Sequence, residues 1–254
     1  MKDKLYRVLA RQENISTNRA KELVDRGLVS MNGKRVTIAR ALIDTTARLK
    51  VAPMPTARVI YEDDDIIAVD KPAFLSSDEI ASAQNAVLLH RLDKETSGVL
   101  LLCKNEEFRA RAILEFKNLR VQKRYFAAVA GIVSENIVVD EPILTTKSKG
   151  KAFSRVAPAG KPAHSEISPV QIVGKKSLVS VRISTGRTHQ IRVHLSHIGH
   201  AIIGDARYGA GTRARSATAE RIYLHASEIS LLHYHFASPL PREFAKFGFE
   251  ISGL

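Results

Sequence analysis

The stretch His90-Arg91-Leu92-Asp93-Lys94-Glu95-Thr96-Ser97-Gly98 runs directly into the apolar run Val99-Leu100-Leu101-Leu102-Cys103. The apolar run has the length and composition of a buried strand. An aspartate just before such a strand is held rigidly and is only partly exposed, and the neighbouring Arg91 and Lys94 favour its ionised form. An ionised, positioned carboxylate can serve as a nucleophile or a general base. The residues alone leave open that Asp93 instead caps a turn.

A second polar stretch, residues 186–195, leads into a predicted helix over residues 188–198 that Gly199 ends. Its first turns hold a group of side chains rich in hydrogen-bond donors: Arg187, His189, Gln190, Arg192 and His194. Helix N-termini favour anions, and such a set suits contacts with phosphates and bases. The same pattern would fit a buried arginine that pairs with Asp93, or a solvated polar face.

Further out, the segment 58–254 shows more strand patterns than helix patterns. Two apolar runs that flank four acidic residues at 62–65 predict a hairpin. Further predicted elements follow along the chain: strands over 98–103, 123–129, 177–183 and 223–232, and a helix over 106–116. Because strands outnumber helices and do not alternate regularly with them, the predicted fold class is α+β, with a largely antiparallel mixed β-sheet flanked by helices and loops.

The N-terminal segment predicts a small α/β domain of its own. Its apolar spacing predicts a helix over 3–13, and Ser16 is a typical N-cap for a second helix that Gly27 ends. Asn32-Gly33 lies between alternating residues, which is typical of a hairpin. Five basic side chains are candidate contacts for a polyanion: Arg19, Lys21, Arg26, Lys34 and Arg35.

Charge and proline set this domain, residues 1–52, apart from the rest. The formal net charge of the 254 residues is +13, and residues 1–52 contribute +7 from 12 basic and 5 acidic side chains. Pro53-Met54-Pro55 marks a linker over 53–57, and a second domain covers 58–254. A basic chain without an apolar run long enough for a membrane span most often binds nucleic acid. We therefore expect a nucleic-acid partner and no membrane.

Several kinds of active site lack their motifs here. The sequence contains no Gly-x-x-x-x-Gly-Lys loop, no dinucleotide fingerprint and no Gly-x-Ser-x-Gly. The single cysteine, Cys103, cannot form an internal disulfide, and its presence fits a reducing cytoplasm. Four histidines lie close together at 189, 194, 197 and 200, but no carboxylate or thiol stands at a metal-site spacing from them. We therefore expect no metal and no nucleotide cofactor.

Taken together, the motifs of residues 59–244 resemble those of the RluA family of pseudouridine synthases. Residues 90–98 resemble the family's catalytic motif, and residues 186–195 with 199 and 203–209 resemble its third motif. Residues 69–73 are similar to its first motif, Lys123-Arg124-Tyr125 to its Lys-x-Tyr, and 224–226 and 237–241 to its C-terminal strand and tail. The resemblance implies the pseudouridine synthase fold for residues 58–254.

The resemblance also implies roles for individual residues. Asp93 would be the catalytic aspartate, Tyr125 would stack on the target uracil, and Arg192 would pair with Asp93 and keep it ionised. Arg91 would occupy the space left by a flipped nucleotide, since a base must leave its helix to be processed. The reaction breaks the bond from base nitrogen to ribose, turns the uracil and rejoins it through a carbon. It conserves atoms and oxidation state, so it requires no cofactor and no metal.

Residues 3–51 resemble an S-four-type RNA-binding domain, through residues 15–24, 27–29 and 32–36. Because such a domain accompanies many family members that act on ribosomal RNA, the resemblance favours uridines of large-subunit (23S) ribosomal RNA, with transfer RNA as the alternative. A non-catalytic RNA-binding or ribosome assembly factor and a metal-dependent hydrolase built on the histidines are further alternatives. We expect a cytoplasmic monomer whose partner is RNA.

Some residues depart from the family's pattern, and they lie in predicted substrate-side loops. Asp70 stands where Asn is frequent, Phe74 where Gly is common, and Ala201 where Pro is frequent. Two basic stretches, 145–161 and 210–221, are predicted to be loops that contact phosphates.

Overall fold

The structure, a computed structural model, describes residues 1–148, 151–209 and 221–254. It divides into two compact units, Met1–Thr56 and Ala57–Leu254. Each unit has its own hydrophobic core. Within the described part of the chain, no helix is long and apolar enough to cross a membrane.

The first unit packs two helices on short strands: α1 Leu5–Gln12, α2 Thr17–Asp25, β1 Lys2–Lys4, β2 Val29–Met31, β3 Lys34–Arg35, β4 Leu42–Asp44 and β5 Leu49–Val51. The Ser16 hydroxyl accepts a hydrogen bond from the backbone N–H of Arg19, which confirms the predicted N-cap. Asn32 and Gly33 join β2 to β3 with φ of 52° and 74°, so the predicted hairpin is also confirmed. Helix α1 begins at Leu5 rather than at residue 3, because β1 pairs with β4.

The second unit is built around a ten-stranded sheet. In spatial order its main path is β11 Ile137–Val139, β14 Ser165–Val173, β15 Lys176–Ile183, β10 Gln122–Ala130, β16 Leu224–Leu231, β9 Ser97–Cys103, β7 Ile66–Lys71 and β6 Arg58–Glu62. Two short strands join off this path, β17 Tyr234–Ala237 on β16 and β8 Val87–Leu88 on β9. The β16–β9 pair is parallel and the other pairs are antiparallel. The predicted α+β class and largely antiparallel sheet are therefore confirmed.

The strand that follows Asp93 lies in the middle of this sheet and is covered on both faces. Leu100 and Leu102 belong to one core cluster, while Val99 and Leu101 belong to another on the opposite face. Burial on both faces explains why β9 reads as a continuous apolar run rather than an alternating one. Each buried leucine contributes about 1.5–3 kcal/mol relative to exposure, so β9 is a rigid base for the loop before it.

In the described part of the chain, three α-helices, a 3-10 helix and a separate hairpin accompany the sheet: α3 Ser77–Ala83, α4 Glu106–Lys117, α5 Gln190–His197, the 3-10 helix Arg242–Phe247, and the hairpin β12 Ile143–Ser148 with β13 Lys151–Val156. The predicted loop over 145–161 is therefore wrong at residues 145–148 and 151–156, which form two paired strands. In that stretch Lys149 lies outside the described residues, as does most of the second basic stretch, 210–220. The predicted helix over 188–198 begins at Gln190, because His189 has a left-handed backbone with φ of 57°.

Candidate active site

Asp93 lies in a tight turn directly before β9. The backbone N–H of Thr96 donates to the Asp93 carbonyl at 3.0 Å, so the backbone closes the turn. The Ser77 hydroxyl bonds both the N–H and the carbonyl of Leu92, at 3.1 Å each, and fixes the residue before Asp93. The Asp93 side chain is 25% exposed. Its carboxylate is therefore not needed to cap the turn and projects from a rigid support.

Gly98 sets the position of this turn against the neighbouring strand. It pairs with Ala226 in the parallel β9–β16 register, and its φ is 114°. A Cβ at this position would lie 2.1 Å from the carbonyl oxygen of Ala226. Only glycine permits the backbones to approach so closely, so the parallel β9–β16 pairing requires Gly98 at the end of residues 90–98.

Arg192 on α5 connects Asp93 to a second carboxylate. Its Nη1 donates to Asp93 Oδ2 at 2.7 Å. Its Nε and Nη2 donate to the two oxygens of Asp205, at 2.7 Å and 3.1 Å. The two-point contact with Asp205 fixes the guanidinium plane, and the remaining nitrogen points at Asp93. The sequence left several interpretations of residues 186–195 open. The structure contains one of them, a buried arginine that pairs with Asp93.

The electrostatics of this cluster favour a permanent cation at Arg192. Its side chain is 6% exposed and that of Asp205 is fully buried. Burial on its own would lower the pKa of Arg192, but the hydrogen bonds and charge of Asp205 raise it above its usual value, and Asp93 adds to the rise. Arg192 therefore places a fixed positive charge 2.7 Å from Asp93 Oδ2.

Tyr125 lies on β10 in the core cluster that also contains Leu92. The register of β10 against β16 shifts between Arg124 and Tyr125, a local irregularity of the kind that redirects a side chain. Burial raises the pKa of Tyr125 above its ordinary value, and the negative charge of Asp93 raises it further. The phenol therefore stays protonated at neutral pH, close enough to Asp93 to respond to its charge.

His189 stands between α5 and the loop that carries Asp205. Its Nδ1 lies 2.7 Å from the hydroxyl of Tyr208, and its Nε2 lies 3.8 Å from Asp93 Oδ1. The side chain is 11% exposed. The ring of His189 therefore lies beside Asp93 and Tyr208, and its RNA contact stays a prediction.

Lys71 connects the loop after β7 to the Asp93 turn through hydrogen bonds. It is fully buried, and its ammonium donates to the carbonyls of Leu75, Pro72 and Lys94 at 2.7, 3.1 and 3.1 Å. Burial lowers the pKa of Lys71 to about 7. These bonds tie the loop after β7 to the Asp93 turn, so Lys71 is a structural cross-link.

The other predicted RNA contacts in this unit differ in exposure. Arg91 is 73% exposed and pairs with Asp78 on α3 at 3.0 Å, so it is available to a ligand. Arg187 is partly exposed, and its Nε donates to the carbonyl of Pro162. Gln190 is buried, and its amide bonds Thr185 and three further groups of the protein. The amide of Gln190 is therefore used within the protein, and an RNA contact at this residue stays a prediction.

The predicted RNA contacts of the first unit are Arg19, Lys21, Arg26, Lys34 and Arg35. Arg19 and Arg26 form ion pairs with Glu22 at 2.7 Å and 2.8 Å. The Lys21 ammonium lies 4.7 Å from the centre of the Tyr6 ring. Lys34 and Arg35 lie on β3, where Lys34 is exposed and Arg35 is partly buried. These cations therefore differ in exposure, and Glu22 balances some of the charge of Arg19 and Arg26.

The four clustered histidines do not converge on one point. His194 is fully buried, with Nδ1 facing the Ser165 hydroxyl and Nε2 facing the carbonyl of Glu141. His200 faces the carbonyl of Ala130. Across residues 1–148, 151–209 and 221–254, no group of three His, Cys, Asp or Glu side chains could hold a metal ion. A hydrolase built on these histidines therefore has no support in the described structure.

Two residues of this site carry roles that the sequence analysis did not assign, namely Asp205 and Tyr208. Both lie within 203–209, a stretch quoted above for its resemblance. The signal was present, but the pairing of Asp205 with Arg192 depends on how the chain returns after α5. The spacing of these residues in the sequence does not predict that pairing.

Comparisons with known proteins show which family this chain resembles. A family model described as RNA pseudouridylate synthase matches residues 51–197. A Helicobacter pylori protein (strain J99) named "Uncharacterized RNA pseudouridine synthase" is 46% identical over 95% of this chain and 99% of its own length. The ribosomal large subunit pseudouridine synthase D of Haemophilus ducreyi is 30% identical, covering 91% of this chain and 85% of that protein.

A solved structure shows the same fold. The human RNA pseudouridylate synthase domain containing 1 is similar with a TM-score of 0.63 and 24% sequence identity. The similarity covers 74% of this chain and 86% of the human chain. This likeness shows that the chain shares its fold with a protein of very different sequence.

Proposed function

The chain belongs to the RNA pseudouridylate synthase family and is an isomerase that acts on RNA, and on this basis we propose that Asp93 is its catalytic residue. One observation carries the proposal. Arg192, held by a buried Asp205, donates to one oxygen of an otherwise accessible carboxylate. That arrangement holds Asp93 by Oδ2 against a cation, and among the described residues no hydrogen bond occupies its second oxygen.

The reaction makes clear demands on such a site. The bond between uracil N1 and ribose C1′ must break, the base must turn, and C5 must bond to C1′. C5 then loses its proton and N1 gains one, so the atoms balance. An ionised carboxylate can act on the ribose or the base as a nucleophile, or it can remove a proton. Tyr125 supplies an aromatic ring next to the carboxylate, and the proposal assigns it to stacking on the uracil. Arg91, exposed beside the Asp93 turn, is assigned to the space that the flipped nucleotide leaves.

We further propose that the substrate is large-subunit ribosomal RNA. The support comes from the Haemophilus ducreyi relative, whose name specifies the ribosomal large subunit. The proposal also assigns RNA binding to the first unit, as an S-four-type domain. The capped helix α2 and the β2–β3 hairpin carry exposed cations there, and phosphate contacts by such cations position RNA without reading its sequence.

The test maps pseudouridine in two pools transcribed in vitro, large-subunit ribosomal RNA and transfer RNA. Each pool is incubated with the unchanged protein, with Asp93→Asn, and with Asp64→Asn. Asp64 is an exposed carboxylate between β6 and β7, so its variant is a matched control. We expect a site in ribosomal RNA that the unchanged protein and Asp64→Asn form and that Asp93→Asn does not.

Other outcomes would contradict separate parts of the proposal. Modification by Asp93→Asn at the unchanged rate would remove Asp93 from the chemistry. A site only in the transfer RNA pool would overturn the ribosomal target and leave the catalytic assignment intact. Tight binding of ribosomal RNA without pseudouridine formation would favour the assembly-factor alternative.

A further inference from the structure

A chain of polar groups leads from the β12–β13 hairpin to Asp93. The backbone N–H of Ser154 on β13 donates to the Tyr208 hydroxyl at 3.0 Å. That hydroxyl lies 2.7 Å from His189 Nδ1. On the other side of the ring, His189 Nε2 lies 3.8 Å from Asp93 Oδ1. Arg192 contacts the other oxygen, Oδ2, so the two oxygens of Asp93 have different neighbours.

Hydrogen-bond accounting assigns the tautomer of His189. The Tyr208 oxygen already accepts the Ser154 N–H. If it also accepted an N–H from His189 Nδ1, its own proton would face no acceptor among these groups. If instead the Tyr208 O–H donates to Nδ1, the Tyr208 proton and His189 Nδ1 satisfy each other, and the proton of a neutral ring then sits on Nε2. The N–H of His189 then points toward Asp93.

Tyr208 is fixed firmly enough to impose this choice. Its backbone N–H donates to Asp205 Oδ1 at 3.0 Å, and its carbonyl accepts from the Ser196 hydroxyl at 2.7 Å. The guanidinium of Arg192 lies 5.1 Å from the centre of its ring. His189 itself has a left-handed backbone, with φ of 57°, which is uncommon for a non-glycine residue.

We propose that His189 is a positioning residue for Asp93, with its Nε2–H held toward Asp93 Oδ1 by Tyr208 while Arg192 holds Oδ2. The inference rests on the role proposed for Asp93. At 3.8 Å, the His189 N–H is too far for a hydrogen bond but close enough to attract the oxygen. The carboxylate is thus restrained in rotation, and Oδ1 stays uncapped for the substrate.

The charges around His189 agree with a neutral ring in this role. Burial lowers the pKa of His189, Asp93 and Asp205 oppose that shift, and Arg192 and Arg207 reinforce it. A neutral ring keeps a single N–H on Nε2. An imidazolium would add a second full positive charge beside Asp93 and weaken it as a nucleophile or base.

Two substitutions of His189 separate positioning from a merely structural role. The amide nitrogen of His189→Gln can reach the place of Nε2, whereas the shorter amide of His189→Asn reaches only the place of Nδ1. We measure the single-turnover rate of pseudouridine formation at saturating RNA, together with RNA affinity. We expect His189→Asn to lose roughly 10–100-fold in rate with unchanged affinity, and His189→Gln to recover most of that loss.

Tyr208→Phe provides an independent variant that removes one oxygen and keeps the ring. It should slow the single-turnover step without changing RNA affinity, because both tautomers of His189 become accessible. If thermal denaturation shows that the His189 variants do not fold, the rate of Tyr208→Phe tests the proposal in their place. An unchanged rate in Tyr208→Phe would then overturn the proposal.

The remaining outcomes distinguish this inference from the proposed function. Equal rates for His189→Asn, His189→Gln and the unchanged protein would overturn the positioning role alone, provided that Asp93→Asn is inactive. A parallel loss of RNA affinity in both His189 variants, with the rate at saturation unchanged, would make His189 an RNA contact and overturn the proposal. An active Asp93→Asn would overturn the proposed function and this inference with it.

Discussion

Replacement of Arg192 by glutamine should reduce both the stability and the activity of the protein, for reasons that can be separated. Asp205 is fully buried, and Arg192 supplies two of its hydrogen bonds. Without the guanidinium, the Asp205 carboxylate keeps backbone N–H groups of residues 207 and 208 but no cation. Removal of one partner of a buried ion pair leaves the other charge unpaired and lowers the free energy of unfolding by about 3–5 kcal/mol. In a unit of this size, that corresponds to a fall in Tm of roughly 6–20 °C.

Activity should fall for a second reason, the loss of the donor to Asp93 Oδ2. Removal of one charged donor from a reacting centre typically costs about 10²–10³-fold in turnover. The double variant Arg192→Gln/Asp205→Asn removes the buried unpaired charge, so it should regain most of the lost stability. It should not regain activity, because Asp93 still lacks its cation. Tm is measured by calorimetry and turnover by pseudouridine formation at saturating RNA.

The control is Arg182→Gln, an exposed arginine on β15, which should change stability by no more than about 0.5 kcal/mol. A double variant that recovered activity together with stability would refute the reasoning. Arg192 would then serve only to neutralise Asp205. A single variant with unchanged Tm would equally contradict the buried ion pair as described.

Three further outcomes follow from the same structure. Gly98→Ala should lower Tm sharply or prevent folding, because its Cβ would lie 2.1 Å from the Ala226 carbonyl oxygen at a φ of 114°; unaltered melting would contradict the register. Because burial lowers the pKa of Lys71 to about 7, the unfolded chain binds more protons above that pH. Stability should therefore rise between pH 7 and about 10, and Lys71→Met should flatten that rise in pH-dependent denaturation. Lys21→Ala/Lys34→Ala should reduce the slope of log K against log salt for RNA by about 1 per lost phosphate contact and spare turnover at saturation.

The parts of the fold that depend on local patterns could be predicted from the sequence. The capped helix after Ser16, the Asn32-Gly33 hairpin and the buried strand after Asp93 each have a signal within a few residues. The β12–β13 hairpin was missed because its strands are polar and carry lysines, so neither alternation nor apolarity marks them. Its structure comes from packing against α5.

The site residues that lie in a sequence motif could be predicted. The contacts that the fold creates between distant residues could not. Asp93 and Arg192 are 99 positions apart, and their contact depends on α5 lying over the same face of the sheet as the Asp93 turn. Sequence reasoning placed Gln190 among the exposed donors of the helix N-terminus. The left-handed backbone at His189 turns that segment instead, and Gln190 enters the core.

The most direct test of the central claim measures release of the C5 proton from RNA that carries tritium at uridine C5. Formation of the new carbon–carbon bond expels that hydrogen, so tritium release reports the isomerisation itself. The unchanged protein, Asp93→Asn and Asp64→Asn are compared under single-turnover conditions, with RNA affinity measured on the same preparations. We predict that Asp93→Asn binds RNA as tightly as the unchanged protein and releases no tritium, while Asp64→Asn is fully active. Tritium release by Asp93→Asn at the unchanged rate would contradict the account.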